Sequence, residues 1–206
     1  SLLTSQYPHH CVPAHDYALP DHTPTVATAF KSADYHTAYF GKWHIDGTLH
    51  RNSDERPAFQ HISPHRRGDF DVWIGYENNN AQYDCWVHGH DASGNPIERY
   101  QLPGYETDGL TDLLLDYLNR QQTDSPFFAV LSVQPPHSPY VAPPEFRDRH
   151  DPDKIQLRPN VPPVDRIQEK ARQDLAGYYA MIENLDWNVG RIQDTLSSTG
   201  LADNTI

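Results

Sequence analysis

Cysteine is scarce in this chain of 206 residues: Cys11 and Cys85 are the only two, far apart and outside any Cys-x-x-Cys pair. That excludes a disulfide framework as the basis of the fold. Long apolar runs are missing too. Nothing approaches the ~18 consecutive apolar residues that a membrane-spanning helix needs, and 37% apolar content fits a soluble globular chain rather than a disordered one. Positive charge is the third shortage. Sixteen Lys and Arg face 28 Asp and Glu, a formal net charge of −12, which argues against nucleic acid as a partner because phosphate binding wants a basic face. An anionic substrate would therefore have to be held by local positive charge. No internal repeat or low-complexity segment interrupts the chain, and its length suffices for one α/β domain with a real core. It opens at Ser1 without a methionine or signal peptide and stops at Asn204-Thr205-Ile206, which reads as the start of a strand. Both ends are expected to be cut.

What is present alternates between strand and helix signals. Thr23-Pro24 starts a helix carrying Val26, Ala27, Phe30 and Ala33. A short strand from Thr37 to Phe40 runs into Gly41-Lys42-Trp43-His44. From Ile45 to about Gln101 the chain is rich in His, Asn, Gly and Pro, and reads as a loop-rich insertion with short strands near Phe70–Ile74 and Tyr83–His88. Thr107 caps a helix whose apolar face is Leu110, Leu113, Leu114, Tyr117 and Leu118. Phe127 to Val133 is a continuous β-prone run of the kind buried on both faces, and it leads into Gln134-Pro135-Pro136-His137. After a Pro-rich stretch, Leu175, Tyr178, Ile182, Leu185, Val189, Ile192 and Leu196 mark a long helix, its stripe read as core, with Gly200 as its C′ residue.

Strand-helix-strand-helix-strand is the pattern of βαβ units. It predicts an α/β fold, a mostly parallel sheet flanked by helices. In such sheets ligands sit beyond the carboxyl ends of the strands. One loop leaving such an end carries Lys42 and His44 and another carries His137, so these three are candidates to hold or protonate an anion at one rim. His65-Arg66-Arg67 is the densest local positive charge and a candidate to meet an anionic sugar, against the plainer reading of a solvated loop. Cys85-x-x-His88-x-His90 invites a zinc reading, but no second ligand pair stands at a familiar spacing.

Four ordered blocks carry a family resemblance. Thr37 through Gly41-Lys42-Trp43-His44 resembles the second signature of the type I, formylglycine-dependent sulfatases of the alkaline-phosphatase-like superfamily. Pro126-Phe127-Phe128 through Pro136-His137-Ser138-Pro139, with Pro143-Pro144-Glu145-Phe146, is similar to a later strand ending in a Pro-His-x-Pro turn. Tyr178-Tyr179-Ala180-Met181-Ile182-Glu183-Asn184-Leu185-Asp186 and Gly200 through Ile206 are similar to the family's long helix and the strand after it. Leu2-Leu3-Thr4-Ser5-Gln6-Tyr7-Pro8 matches the tail of the first signature, with Ser5 where that family usually has Gly. The likeness covers the chain apart from the Ile45–Gln101 insertion, and makes it an internal part of a single sulfatase catalytic domain.

The resemblance implies hydrolysis of sulfate esters of sugars or aryl compounds. It also implies a divalent cation, usually calcium, and a formylglycine nucleophile, with the ligands of the one and the motif of the other lying outside this chain, so that the chain alone is expected to be inactive. A sulfate monoester is a compact anion whose cleavage moves negative charge onto the leaving oxygen, so fixed cations and an acid are needed. Lys42 suits the bridging of sulfate oxygens. By resemblance His44 contacts the formylglycine hydroxyls, on the same side as Lys42 if strand geometry persists, and His137 lies near the ester oxygen as general acid or sulfate ligand. A phosphonate or phosphate ester hydrolase of the same superfamily is an alternative, and a non-catalytic homologue that binds sulfated glycans is another. Family habit points to an exported or lysosomal protein; the oligomeric state stays open.

Overall fold

The computed structural model describes residues 2–15, 17–47 and 56–206. At its centre is β1 (His36–Lys42), whose β-branched and aromatic residues are buried from Thr37 to Gly41. It pairs in parallel with β2 (Val72–Tyr76) on one side and β5 (Phe127–Ser132) on the other, Gly41 facing both Gly75 and Ser132. β3 (Trp86–His90) and β4 (Pro96–Gln101) continue the sheet antiparallel, giving the order β4-β3-β2-β1-β5.

The sheet is thus mixed, with an antiparallel wing that the expected loop-rich insertion contributes. No helix crosses over between β2, β3 and β4, and strands joined by short connections return antiparallel. The β3–β4 turn is built by Asp91, whose Oδ1 accepts from the main-chain N–H of Ser93 and Asn95 at 2.9 Å each. β5 is half-buried along its whole length rather than buried on both faces, because it forms the edge of the sheet among the described strands. At the last β1–β5 pair the backbones come so close that a Cβ on Gly41 would lie 2.1 Å from the Ser132 carbonyl oxygen; glycine is required there, and its φ of +113° says the same.

Two layers cover the sheet. On one face Tyr39, Trp43, Phe70 and Trp73 pack with Ile62 and with Ala27 of α2, the second of two short helices, α1 (Pro8–Cys11) and α2 (Val26–Lys31). On the other face Phe40 and Ala38 meet Leu114 and Leu118 of α3 (Glu106–Leu118). Each of these large side chains contributes about 1.5–3 kcal/mol by leaving water. A one-turn helix, α4 (Pro144–Arg147), and the long α5 (Asp165–Ser198) complete the set.

Several boundaries differ from the expectation for local reasons. α2 begins after Thr25, whose Oγ1 accepts from Ala27 N–H while Thr28 Oγ1 accepts from Thr25 N–H, a reciprocal cap that Thr23-Pro24 does not make. α3 begins at Glu106, one residue before Thr107, because Gln82 O accepts the Glu106 N–H at 2.7 Å. α5 does not bury its expected stripe: Ile182 and Val189 are exposed, and the buried line is Ala176, Ala180, Asn184 and Asn188. Small residues let α5 approach closely, and Asn184 and Asn188 both donate to Asp108 Oδ1 on α3, at 2.9 and 2.7 Å. Residues Ala202–Asn204 form a 3-10 turn just ahead of Thr205 and Ile206, where the next strand was expected to open.

The end of α5 follows the expectation. Leu201 N–H bonds Leu196 O at 2.9 Å and Gly200 N–H bonds Ser197 O at 3.2 Å, with Gly200 at φ +74°. This is a Schellman end with glycine at C′. Nothing lies within 4 Å of a Cβ placed there, so Gly200→Ala should cost only the backbone strain, about 1 kcal/mol. A urea midpoint that falls accordingly at constant m value checks this; no change would mean that the turn relaxes.

Candidate functional site

β1, β2 and β5 all end at one edge of the sheet, and their exit loops meet there. Lys42 is the last residue of β1 and is half-buried. The strand stops there: Trp43 N–H bonds Tyr76 O at 2.8 Å, His44 N–H bonds Glu77 O at 2.9 Å, and His44 has φ +55°. His44 therefore does not continue the alternation of β1, contrary to the expectation of a shared side; its ring stacks on that of His15, with centroids 5.4 Å apart. His137 lies on the loop after β5 and is exposed. Its Nδ1 is 2.6 Å from Ser138 O; a carbonyl only accepts, so Nδ1 carries the hydrogen and Nε2 is the nitrogen left to exchange a proton.

The β5 loop is tied to the β2 loop by Gln134 Nε2 donating to Asn80 Oδ1 at 2.8 Å and by Gln82 Nε2 donating to Pro139 O at 2.8 Å. Behind Lys42 stand two buried carboxyl groups that the sequence did not single out. Glu77, 3% exposed, accepts the N–H groups of Asp46 and Gly47 on Oε1 at 3.0 and 3.1 Å, so one residue holds the His44 loop through both its main chain and its side chain. Burial pushes its carboxyl up to about 7, with the backbone hydrogen bonds opposing and the Asp46 charge adding to it. Glu106, fully buried in the first turn of α3, accepts from Tyr76 OH at 2.7 Å and from Asn79 Nδ2 at 3.4 Å. Burial raises it as well.

Lys42 is pulled down by its own burial and drawn back up by Glu106 and Glu77. Its ammonium is thus a partly desolvated cation fixed at a polar rim, where attraction for an oxyanion exceeds that of a solvated lysine. The sequence signal for the two carboxyls was weak. Glu77-Asn78-Asn79-Asn80 is a polar run directly after a β-prone stretch, and a Glu in a first helical turn is ordinarily exposed to favour the helix dipole.

The other candidates lie apart from this rim. Arg66 spends its guanidinium on Asp46, Asp21 and Leu19 O, and Arg67 is 2% exposed beneath the sheet. Only His65 of that trio faces solvent, so the three do not form one basic patch: Asp46 and Asp21 take the Arg66 charge, and Arg67 is buried. Cys85 packs with Tyr76 and Val87 whereas His88 lies against Trp73 on the opposite face, so the Cys85-His88-His90 spacing does not converge on one ion. Among the described residues there is no group of three or more His, Cys, Asp or Glu able to hold a metal, and the implied divalent cation is assigned no ligand among them. No helix among them is long and apolar enough to cross a membrane.

A family model described as Sulfatase matches residues 1–206. The ulvan-active sulfatase of Formosa agariphila is 34% identical over 209 residues, an alignment covering 100% of this chain and 38% of that protein. A solved Bacteroides thetaiotaomicron structure from a study of glycosaminoglycan metabolism, designated a 4S-sulfatase, superimposes with a TM-score of 0.80 at 25% identity, covering 97% of this chain and 45% of its own. A phosphonate monoester hydrolase of Agrobacterium radiobacter superimposes with a TM-score of 0.62 at 16% identity, covering 99% of this chain and 50% of its own, a likeness of fold alone. The chain spans about two fifths to one half of the length of these proteins.

Proposed function

The chain belongs to the sulfatase family, and from that premise we propose that the rim at Lys42 takes part in hydrolysing the sulfate ester of a sugar or aryl compound, in a protein that carries this chain. The observation that carries the reading is the half-buried Lys42 at the end of β1, backed by two buried carboxyls and flanked by loops bearing His44 and His137. Lys42 neutralises the sulfate oxygens. His44 is fixed beside it by Glu77. His137, with Nδ1 committed to Ser138 O, presents Nε2 to protonate the departing ester oxygen. The products are the alcohol and inorganic sulfate. The formylglycine nucleophile and a calcium ion are proposed to come from outside the described residues.

Sulfated saccharides fit the reading because the relatives include an ulvan-active sulfatase. The test is release of inorganic sulfate from sulfated mono- and oligosaccharides by the full-length protein. Release supports the proposal; saturable glycan binding with no release on any ester would favour a binding homologue. A second expectation concerns His137. His137→Ala should slow esters of sugar alcohols about tenfold more than activated aryl sulfates, since only the former need a proton on the leaving oxygen. Equal losses on both would leave His137 a sulfate-positioning group.

A further inference from the structure

A cavity of about 510 Å³ opens on the Trp73 face of the sheet, between β3, β4 and residues 59–70, toward the end where β2 begins. Lys42, His44 and His137 do not line it. We propose that this cavity is a binding site for a compact oxyanion, a sulfate or carboxylate group, held by Arg67 and His88 and distinct from the rim at Lys42.

Arg67 carries the argument. It is 2% exposed, and its guanidinium lies over Trp73 at 5.1 Å. Of its five N–H donors, Nε donates to Ile62 O at 2.9 Å and Nη1 faces His90 Nδ1 at 2.7 Å. No carboxylate among the described residues pairs with it, and burial alone pulls it down to about 10. A cation so buried costs several kcal/mol unless an opposite charge meets it, and the indole face offsets only about 2 kcal/mol of that. The open side of Arg67 is the cavity it lines.

His88 adds a second donor. Its Nε2 accepts the Ile62 N–H at 3.0 Å, so in the neutral ring the hydrogen sits on Nδ1, which has no acceptor among the described residues. The ring stays neutral because burial, followed by the Arg67 charge, takes it down to about 3. His90 is locked in the reverse tautomer: Nδ1 accepts from Arg67 and Nε2 donates to Phe70 O at 3.0 Å. Arg67 and His88 therefore both offer N–H groups at the wall of one cavity, which is how a buried oxyanion is held. Asp69 and Glu98 also line it and oppose an anion. Asp69 Oδ2 is turned to Thr28 Oγ1 at 3.1 Å; of the other cations on the same walls, Lys31 pairs with Asp71 at 2.9 Å and Arg99 donates to Phe59 O at 3.1 Å.

The site stands whether or not the rim at Lys42 cleaves sulfate esters. The test titrates inorganic sulfate, glucuronate and glucose into the full-length protein, following histidine ring resonances by NMR and affinity by calorimetry. The anions should shift His88 and His90 saturably, and glucose and equal chloride should not. Arg67→Gln should weaken sulfate binding about tenfold or more, while Lys42→Ala leaves the His88 and His90 shifts intact. Response to sulfate but not glucuronate would narrow the ligand to a sulfate; the reverse would narrow it to a carboxylate. If Arg67→Gln does not fold, the unmodified protein still decides: sulfate and glucuronate that both leave the two rings unmoved overturn the proposal, as would shifts that vanish with Lys42→Ala.

Discussion

Lys42→Ala in the full-length protein should lower turnover of a sulfate ester by about 10²–10³, the size expected when one fixed charge facing a developing oxyanion is removed. Its effect on folding should be small. The ammonium is half-buried at the end of β1 and is partly desolvated; deleting it relieves that cost while leaving Glu106 and Glu77 without a cation. Glu106 keeps its hydrogen bonds from Tyr76 and Asn79 and gains a proton more readily. The net change in unfolding free energy should stay within about 1 kcal/mol, as for most substitutions outside a packed core. Steady-state kinetics beside a denaturant melt separate the two outcomes. A variant that loses stability in step with activity would make Lys42 a structural residue.

Stability itself should fall as pH rises from about 5 to 8, and Glu77 should account for much of the fall. Its carboxyl sits at about 7 when folded against 4.5 for an ordinary glutamate. A folded-state value above the unfolded one means that the native protein binds the proton more tightly, so the benefit is full below the unfolded value and is lost as pH climbs through the folded one. At about 1.4 kcal/mol for each pH unit of difference, the loss is about 3 kcal/mol. Glu106 is raised in the same direction and adds to the slope. Glu77→Gln keeps an oxygen for Asp46 and Gly47 N–H but has no proton to lose, so its melts at pH 5 and pH 8 should differ much less than the wild type's. Equal differences in the two proteins would place the pH dependence elsewhere. Glu77→Ala, which releases the His44 loop, should impair turnover as well.

The parts of this fold that announce themselves along the chain are those governed by local chemistry. The β-prone runs of β1 and β5, the Gly-Lys-Trp-His end of β1 and the glycine closing α5 were all legible, because each depends on neighbours in sequence. The antiparallel wing was less so. Short strands near Phe70–Ile74 and Tyr83–His88 were expected there, but the hairpin turn from Asp91 to Asn95 and β4 after it sit in a segment so rich in His, Asn and Gly that they read as loop. The stripe of α5 misled for a different reason: Asp108 on α3 draws Asn184 and Asn188 inward, turning Ile182 and Val189 outward.

Charged residues were the hardest to place. Arg66 and Arg67 look like a solvated or substrate-facing pair, yet their destinations depend on Asp46, His90 and Trp73, which are distant in sequence. Glu77 and Glu106 were invisible for the same reason, since nothing local marks a carboxyl for burial behind a lysine contributed by another strand.

The most direct measurement is a comparison of kcat/KM for two esters of one leaving group, a sulfate and a phosphonate, in the full-length protein and in Lys42→Ala. The sulfate ester should be the better substrate, and Lys42→Ala should cost it about 10²–10³. A faster phosphonate ester, together with sulfate turnover indifferent to Lys42, would contradict both.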